Sequence, residues 1–182
     1  MLSLALMSTL FVAAPSDAET ASWSAPEAVR SGKETCVTYK AQLRGSHLVI
    51  SADHEETWHT YALDNALRVE ESLAGKPSLG QEMPTSIKVE GVTPKGGWLQ
   101  SRPEDMSQPE LRWYRWGFSD QAYFAIEVDP TTFTGLLTVR VEGQACDVSR
   151  CRRVDVALKV SEDNKAPKDA ALVTSLEPAR TK

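Results

Sequence analysis

Two runs of strict alternation, Leu137-x-Val139-x-Val141 and Val154-x-Val156-x-Leu158-x-Val160, flank the segment Cys146-Asp147-Val148-Ser149-Arg150-Cys151. Placing a large apolar residue at every second position puts those side chains on one face of an extended strand, as in a half-buried antiparallel sheet. In the first run the odd positions are core, so Arg140, Glu142, Gln144 and Cys146 face outward. In the second the even positions are core, so Cys151, Arg153 and Asp155 face outward. The two cysteines are therefore expected opposite each other on the outer face of one hairpin, across a four-residue loop. A bulge at Gly143 would break the phase for Cys146. A disulfide usually joins Cα atoms about 4.4 to 6.8 Å apart, whereas five steps of extended strand span some 16 Å at about 3.3 Å each. The chain must reverse between the cysteines if they are to bond.

The same period recurs upstream. Val37-x-Tyr39-x-Ala41 alternates weakly, His47 to Ile50 is a short core run, Trp58 to Leu63 reads as a third strand, and Ile87-x-Val89 precedes a Gly- and Pro-rich turn region over residues 91–97. Tyr123 to Val128 reads as a buried strand ending at Asp129-Pro130. Helical periodicity is almost absent, and no internal repeat occurs. Seven or more short strands in about 145 residues predict an all-β chain folded as an immunoglobulin-like antiparallel β-sandwich. The strand order does not follow from the pattern. Residues 162–182 are polar and Pro-interrupted and are expected to form a disordered tail, with a short helix over Asp169 to Leu176 as the alternative.

Composition narrows the function. The 182 residues carry 20 basic and 25 acidic side chains, a formal net charge of −5, which argues against a nucleic-acid partner. The longest apolar run, Met1 to Ala14, is shorter than the roughly 20 residues of a membrane span. It ends in Ser16-Asp17-Ala18, a small-x-small pattern, so residues 1–18 are expected to be a secretory signal peptide and 19–161 the exported domain. The basic residues that usually precede such a core are missing.

In an exported chain the cysteine pair carries the chemistry. A loop this short stabilises by only about 2 kcal/mol in the chain-entropy model, against nearly 5 for a loop of about 100 residues, so the bond is a weak staple. On an outer face it is open to an attacking thiolate. Arg150, Arg152 and Arg153 surround it and would favour thiolate over thiol. An inert hairpin clip remains the alternative. His47, His54 and His59 do not stand at a metal-ligand spacing from the cysteines, and no metal or cofactor is expected. Cys36 reads as a small buried hydrophobe at a strand start, with an intermolecular bond or a regulatory thiol as the other options.

Two segments resemble a known family, the N-terminal periplasmic (alpha) domain of the thiol:disulfide interchange protein DsbD. Glu56-Thr57-Trp58-His59-Thr60-Tyr61-Ala62 is similar to its Gly-Trp-His-x-Tyr-type strand, and Val141 to Cys151 to its Tyr-Gln-x-Cys-Asp-x-x-x-Cys hairpin. The opening Trp23-Ser24-Ala25-Pro26-Glu27 and the Gly91-Val92-Thr93-Pro94 turn extend the likeness over most of residues 23–160. The resemblance implies an immunoglobulin-like sandwich whose pair, here Cys146 and Cys151, cycles between dithiol and disulfide. Electrons would arrive from a thioredoxin-fold protein or a separate membrane donor and pass to periplasmic redox proteins. It further implies an aromatic cap over the pair, for which Trp113 to Phe118 and Trp98 are candidates; the same aromatics could equally fill the core. Relatives place an apolar residue and then Pro after the second cysteine, where this chain has Arg152-Arg153.

Tyr61 matches the family's lining tyrosine, and His59 a position aromatic in relatives. Period-two alternation puts His59 and Tyr61 on one strand face. Both are expected to flank the cysteines, with the imidazole tuning the thiolate near neutral pH. The rival from another class is a secreted immunoglobulin-like binding module, with a structural disulfide and with Trp98, Trp113, Tyr114 and Trp116 as contact residues.

Overall fold

In the computed structural model, which describes residues 22–78, 80 and 82–181, the chain alternates between two facing sheets. Strands β1 (Glu27–Ser31), β2 (Glu34–Arg44) and β3 (His47–His54) begin the first sheet. The chain crosses to the second for β4 (His59–Tyr61), forms helix α1 (Asn65–Leu73), and adds β5 (Ser86–Glu90). It then lays β6 (Thr93–Gln100) in the first sheet, β7 (Glu104–Asp105) and β8 (Trp116–Phe118) in the second, and β9 (Gln121–Asp129) in the first. The long hairpin β10 (Leu136–Cys146) and β11 (Cys151–Ser161) completes the second sheet. The chain ends with β12 (Lys165–Ala166), helix α2 (Ala170–Thr174) and β13 (Glu177–Pro178). Among the described residues the orders are β1-β2-β3-β9-β6-β13, with β12 beside β2, and β11-β10-β4-β8-β7, with β5 also on β10. Every pairing is antiparallel except β12 with β2. This is the expected all-β immunoglobulin-like sandwich.

Alternation decides which face of each strand is core. Leu137, Val139 and Val141 of β10 and Val154, Val156, Leu158 and Val160 of β11 are buried against Tyr39, Leu48, Ile50, Phe124 and Ile126 of the facing sheet. The β10/β11 register is unbroken from Leu136↔Ser161 to Cys146↔Cys151, so Gly143 introduces no bulge. At the far end β4 lies beside β10 with Cys146 opposite His59. Gly117 of β8 pairs with Tyr61, and a Cβ there would stand 2.1 Å from the Thr60 carbonyl oxygen, so this close approach requires glycine.

Four segments differ from the sequence pattern. The strand expected over Trp58 to Leu63 is only His59–Tyr61, because Thr57 takes a φ of 75° and the Trp58 amide closes a turn on the Glu55 carbonyl. The expected turn region over residues 91–97 is a turn only at its start. Gly91 makes it at φ 90°, and Thr93 to Lys95 already pair with β9, Gly96 and Gly97 lying in the register shift that follows. Helix α1 was invisible to periodicity because its start is set by long-range contacts. The buried Asp64 before it accepts hydrogen bonds from Arg68, from the Gln100 amide and from the Arg180 backbone.

The fourth correction concerns the expected disordered tail. Residues 162–181 pack along the first sheet: Ala166 O accepts from Gly45 N, Arg44 pairs with Asp169, Arg68 with Glu177, and Ala179 N donates to Trp98 O. The alternative helix is there in part, over Ala170–Thr174, capped by the Asp169 carboxylate on the Leu172 amide. A polar segment orders when its charges and backbone groups meet partners elsewhere in the fold, which local composition does not report. The proposed signal peptide, residues 1–18, lies outside the described residues.

Candidate functional site

A disulfide joins Cys146 to Cys151 across the hairpin end, with Cα atoms 4.0 Å apart. Both cysteines lie on the outer face, as the phase required, yet the two differ in exposure. Cys151 is exposed, while Cys146 is only 2% accessible. The difference comes from a cleft wall built over β10. Its floor is β4, which presents His59 and Tyr61, with His59 Nε2 3.1 Å from the Tyr61 hydroxyl. Its sides are Glu82, Trp113 and Arg115.

Each wall residue has a support. The segment carrying Glu82 is pinned by the Met83 amide on Gln144 Oε1 at 3.1 Å and by the Thr85 hydroxyl on the Tyr61 carbonyl at 2.6 Å. Trp113 Nε1 donates to Glu82 Oε1 at 3.1 Å. Arg115 stacks 4.6 Å over the Trp113 ring and donates from Nε to the Met106 carbonyl. Trp113 is thus the aromatic of the candidate cap segment that lines the cleft with the two cysteines. Phe118, Trp98 and Trp116 pack on the core, and Tyr114 stacks on Trp116.

The hairpin loop is organised by Asp147, whose carboxylate accepts from the Ser149 amide and hydroxyl and from the Arg150 amide. These bonds, the Ser149 amide first, hold its carboxyl well below the usual range. Arg150 bridges Asp147 and Glu34 and lies 5.4 Å over the Trp58 ring, tying the loop to the start of β2. Arg152 donates to Ser31 and Arg153 leans on Glu142 and Asp155. Of the arginines expected beside the sulfurs, Arg152 and Arg153 are therefore committed elsewhere, Arg150 lines the cleft with its charge engaged by Asp147 and Glu34, and Arg115 enters beside Tyr61. Burial, reinforced by the Glu82 charge, raises the Tyr61 phenol.

His59 corrects the expectation of a neutral-pH tuner. Burial, with Arg115 and His54 adding repulsion, pushes its imidazole down to about 4. It is neutral through the physiological range and serves the Tyr61 hydroxyl as a hydrogen-bond partner. In the reduced protein, His59→Ala is expected to leave the shape of the cysteine titration unchanged between about pH 5.5 and 8, read from thiolate absorbance; an inflection near 6.5 lost with the imidazole would contradict this.

Sequence reasoning brought together Cys146, Cys151, His59 and Tyr61 and missed Glu82 and Arg115. Arg115 stood within a candidate cap segment, whereas Glu82 carried no periodic or motif signal. Glu82 and the two cysteines place their donor atoms within 4.8 Å of one another, the set among the described residues that could hold a metal once the sulfurs are thiolates. His47 and His54 take no part in it. Cys36 is buried in the core and free.

Fold and cleft together define a β-sandwich that presents a half-covered cross-strand disulfide at one end of its second sheet. No family model matches the chain, and no curated protein is similar to it in sequence. Among solved structures, the N-terminal periplasmic domain of ScsB from Proteus mirabilis shares the fold with a TM-score of 0.52, over 82% of this chain and 56% of that one, at 13% identity. The DsbD N-terminal domain of Neisseria meningitidis, in its reduced form, gives a TM-score of 0.46 over 69% of this chain and 83% of that one, at 12% identity. Among the described residues no helix is long and apolar enough to cross a membrane.

Proposed function

We propose that the chain is a periplasmic thiol–disulfide exchange module that relays electrons from a thioredoxin-fold donor to periplasmic redox proteins through Cys146 and Cys151. The observation that carries this reading is the unequal exposure of the two cysteines in a built cleft. Exchange proceeds through a mixed disulfide and needs one sulfur open to attack and the other held back to leave and return. Cys151 is the open one and Cys146 the sheltered one. Val148, fully exposed at the loop tip, adds an apolar contact beside the open sulfur. The fold shared with an N-terminal periplasmic domain supports the compartment, and the sequence resemblance to the DsbD family supports the class of partner.

The binding-module reading loses support, because Trp98 and Trp116, two of its four contact residues, pack against the core. The test is equilibration of the oxidised protein with reduced thioredoxin and with glutathione buffers. An exchangeable pair is expected to show a reduction potential above about −300 mV and to be reduced by thioredoxin. A lower potential with resistance to thioredoxin would return the bond to the role of a clip.

A further inference from the structure

The contacts that hold Cys146 opposite Cys151 do not depend on the bond between them. The β10/β11 ladder runs to that last pair, and the Asp147 amide closes the loop on the Arg150 carbonyl at 2.9 Å. The Asp147 carboxylate accepts from the Ser149 and Arg150 amides. Reduction therefore leaves two thiols at facing positions. Beside them stands Glu82, one carboxylate oxygen of which lies with both sulfurs inside a 4.8 Å cluster. That carboxylate is oriented from behind. Trp113 Nε1 donates to Oε1 at 3.1 Å, and the Tyr61 hydroxyl, itself 3.1 Å from His59 Nε2, hydrogen-bonds it as well. Donors of this kind, set behind a carboxylate, are what fixes a ligating group in a metal site. A carboxylate repels two neighbouring thiolates; a cation between them turns the repulsion into a ligand set.

We propose that the reduced chain binds one divalent cation of the zinc class between Cys146 Sγ, Cys151 Sγ and a Glu82 carboxylate oxygen. The site exists only as the dithiol, so it rests on the exchange reading above for the donor that frees the sulfurs. On binding, two cation–sulfur bonds and one cation–oxygen bond form, both thiol protons go to solvent, and no electron moves. Reoxidation by an acceptor disulfide needs the same two sulfurs. A filled site is therefore closed to exchange until the cation leaves, which makes the site a brake on the reduced module.

The donor set selects the ion. Thiolates favour zinc and copper(I) over magnesium and calcium, and zinc also accepts carboxylate oxygen. At about 2.3 Å from each sulfur and about 2.1 Å from the oxygen, a tetrahedral cation holds its ligand atoms roughly 3.6 to 3.8 Å apart. The three donor atoms already lie within 4.8 Å, so rotation of the side chains suffices to part the sulfurs and draw in the oxygen. Three protein ligands leave the fourth position to water. The cleft, about 420 Å³ in volume with the exposed Cys151 in its lining, gives a hydrated ion a way in. Two thiolates and a carboxylate exceed the charge of a divalent cation by one, and Arg115 lines the same cleft to balance it.

The test is calorimetric titration of the full chain with Zn²⁺, in the oxidised form and after reduction by a phosphine. Reduced wild type is expected to bind one Zn²⁺ per chain, and the oxidised form none over the same range. Glu82→Gln is expected to weaken binding at least about tenfold, since losing a ligand costs no less than losing an outer partner of one. Cys36→Ala, outside the cleft lining, is expected to match wild type. Co²⁺ is the second probe: the reduced chain is expected to show sulfur-to-cobalt charge transfer and strong tetrahedral visible bands. Oxidation of the reduced chain by glutathione disulfide is expected to stop with one equivalent of Zn²⁺ and to resume on chelation. Equal affinity in oxidised and reduced chains, or in wild type and Glu82→Gln, would overturn the proposal, and so would a cobalt spectrum without thiolate bands. If thioredoxin reduces the pair and Zn²⁺ does not bind, the metal site alone falls. If thioredoxin leaves the pair intact while the phosphine-reduced chain binds Zn²⁺, the exchange reading falls and the ligand set is upheld.

Discussion

A Cys146→Ser variant incubated with oxidised thioredoxin-fold partners is expected to accumulate a stable mixed disulfide, and a Cys151→Ser variant is expected to yield at least about tenfold less. The reason is access. With Cys146 removed, the exposed Cys151 thiol still meets a partner, and this chain has no second thiol of the pair left to close its own disulfide and release the partner. With Cys151 removed, the surviving Cys146 is only 2% exposed, in a cleft it shares with Glu82, Trp113, His59 and Tyr61, and a second protein reaches it far less readily. Non-reducing electrophoresis of the two variants against a periplasmic extract and against purified thioredoxin measures the ratio. Equal trapping by both variants would mean that the cleft opens freely, and absence of trapping in both would favour a structural bond.

Asp64→Asn is expected to cost about 3 kcal/mol at neutral pH, the range for breaking a buried charge pair, and to lower Tm by roughly 6 to 12 °C for a chain of this size. The Asp64 side chain is wholly buried and pairs with Arg68 at 2.9 Å. Burial by itself would raise its carboxyl, but hydrogen bonds from Arg68, Gln100 and the Arg180 amide outweigh that and hold it below the ordinary value. A carboxyl depressed in the folded state contributes stability that is present above the unfolded pKa of about 3.9 and is lost as pH falls through the folded value. Wild type is therefore expected to lose stability below about pH 4 more steeply than Asp64→Asn. Urea unfolding at pH 7 and at pH 3 checks both statements, and a neutral-pH loss under about 1 kcal/mol would refute the first. Because Asp64 also joins the start of α1 to Arg180, the variant should loosen the C-terminal segment first, as faster amide exchange there.

What could be read along the chain is what depends on neighbours in the chain. The β10/β11 hairpin, its register to the last pair, the opposition of Cys146 and Cys151, and the shared face of His59 and Tyr61 all follow from a period of two residues, because a slip of one would turn every valine of the hairpin to solvent. The sandwich class follows likewise, from the number and shortness of such runs. What surrounds the sulfurs does not. Cys146 occupies an outward position and is nonetheless buried, since Glu82 arrives from the segment after α1 and Trp113 and Arg115 from the loop before β8, separated from Cys146 by 31 residues or more. Arg150 sits next to Cys151 in the chain and lines the cleft, but its charge is engaged by Glu34, 116 positions earlier. Residues 162–181 are mostly polar and Pro-interrupted, and are tied down by Asp64, Arg44 and Trp98. Alternation is a local property that burial of one face enforces at every step. The shelter of one sulfur, the placing of a carboxyl beside it and the docking of a charged tail are contacts between distant segments, and the three-dimensional fold alone brought them together.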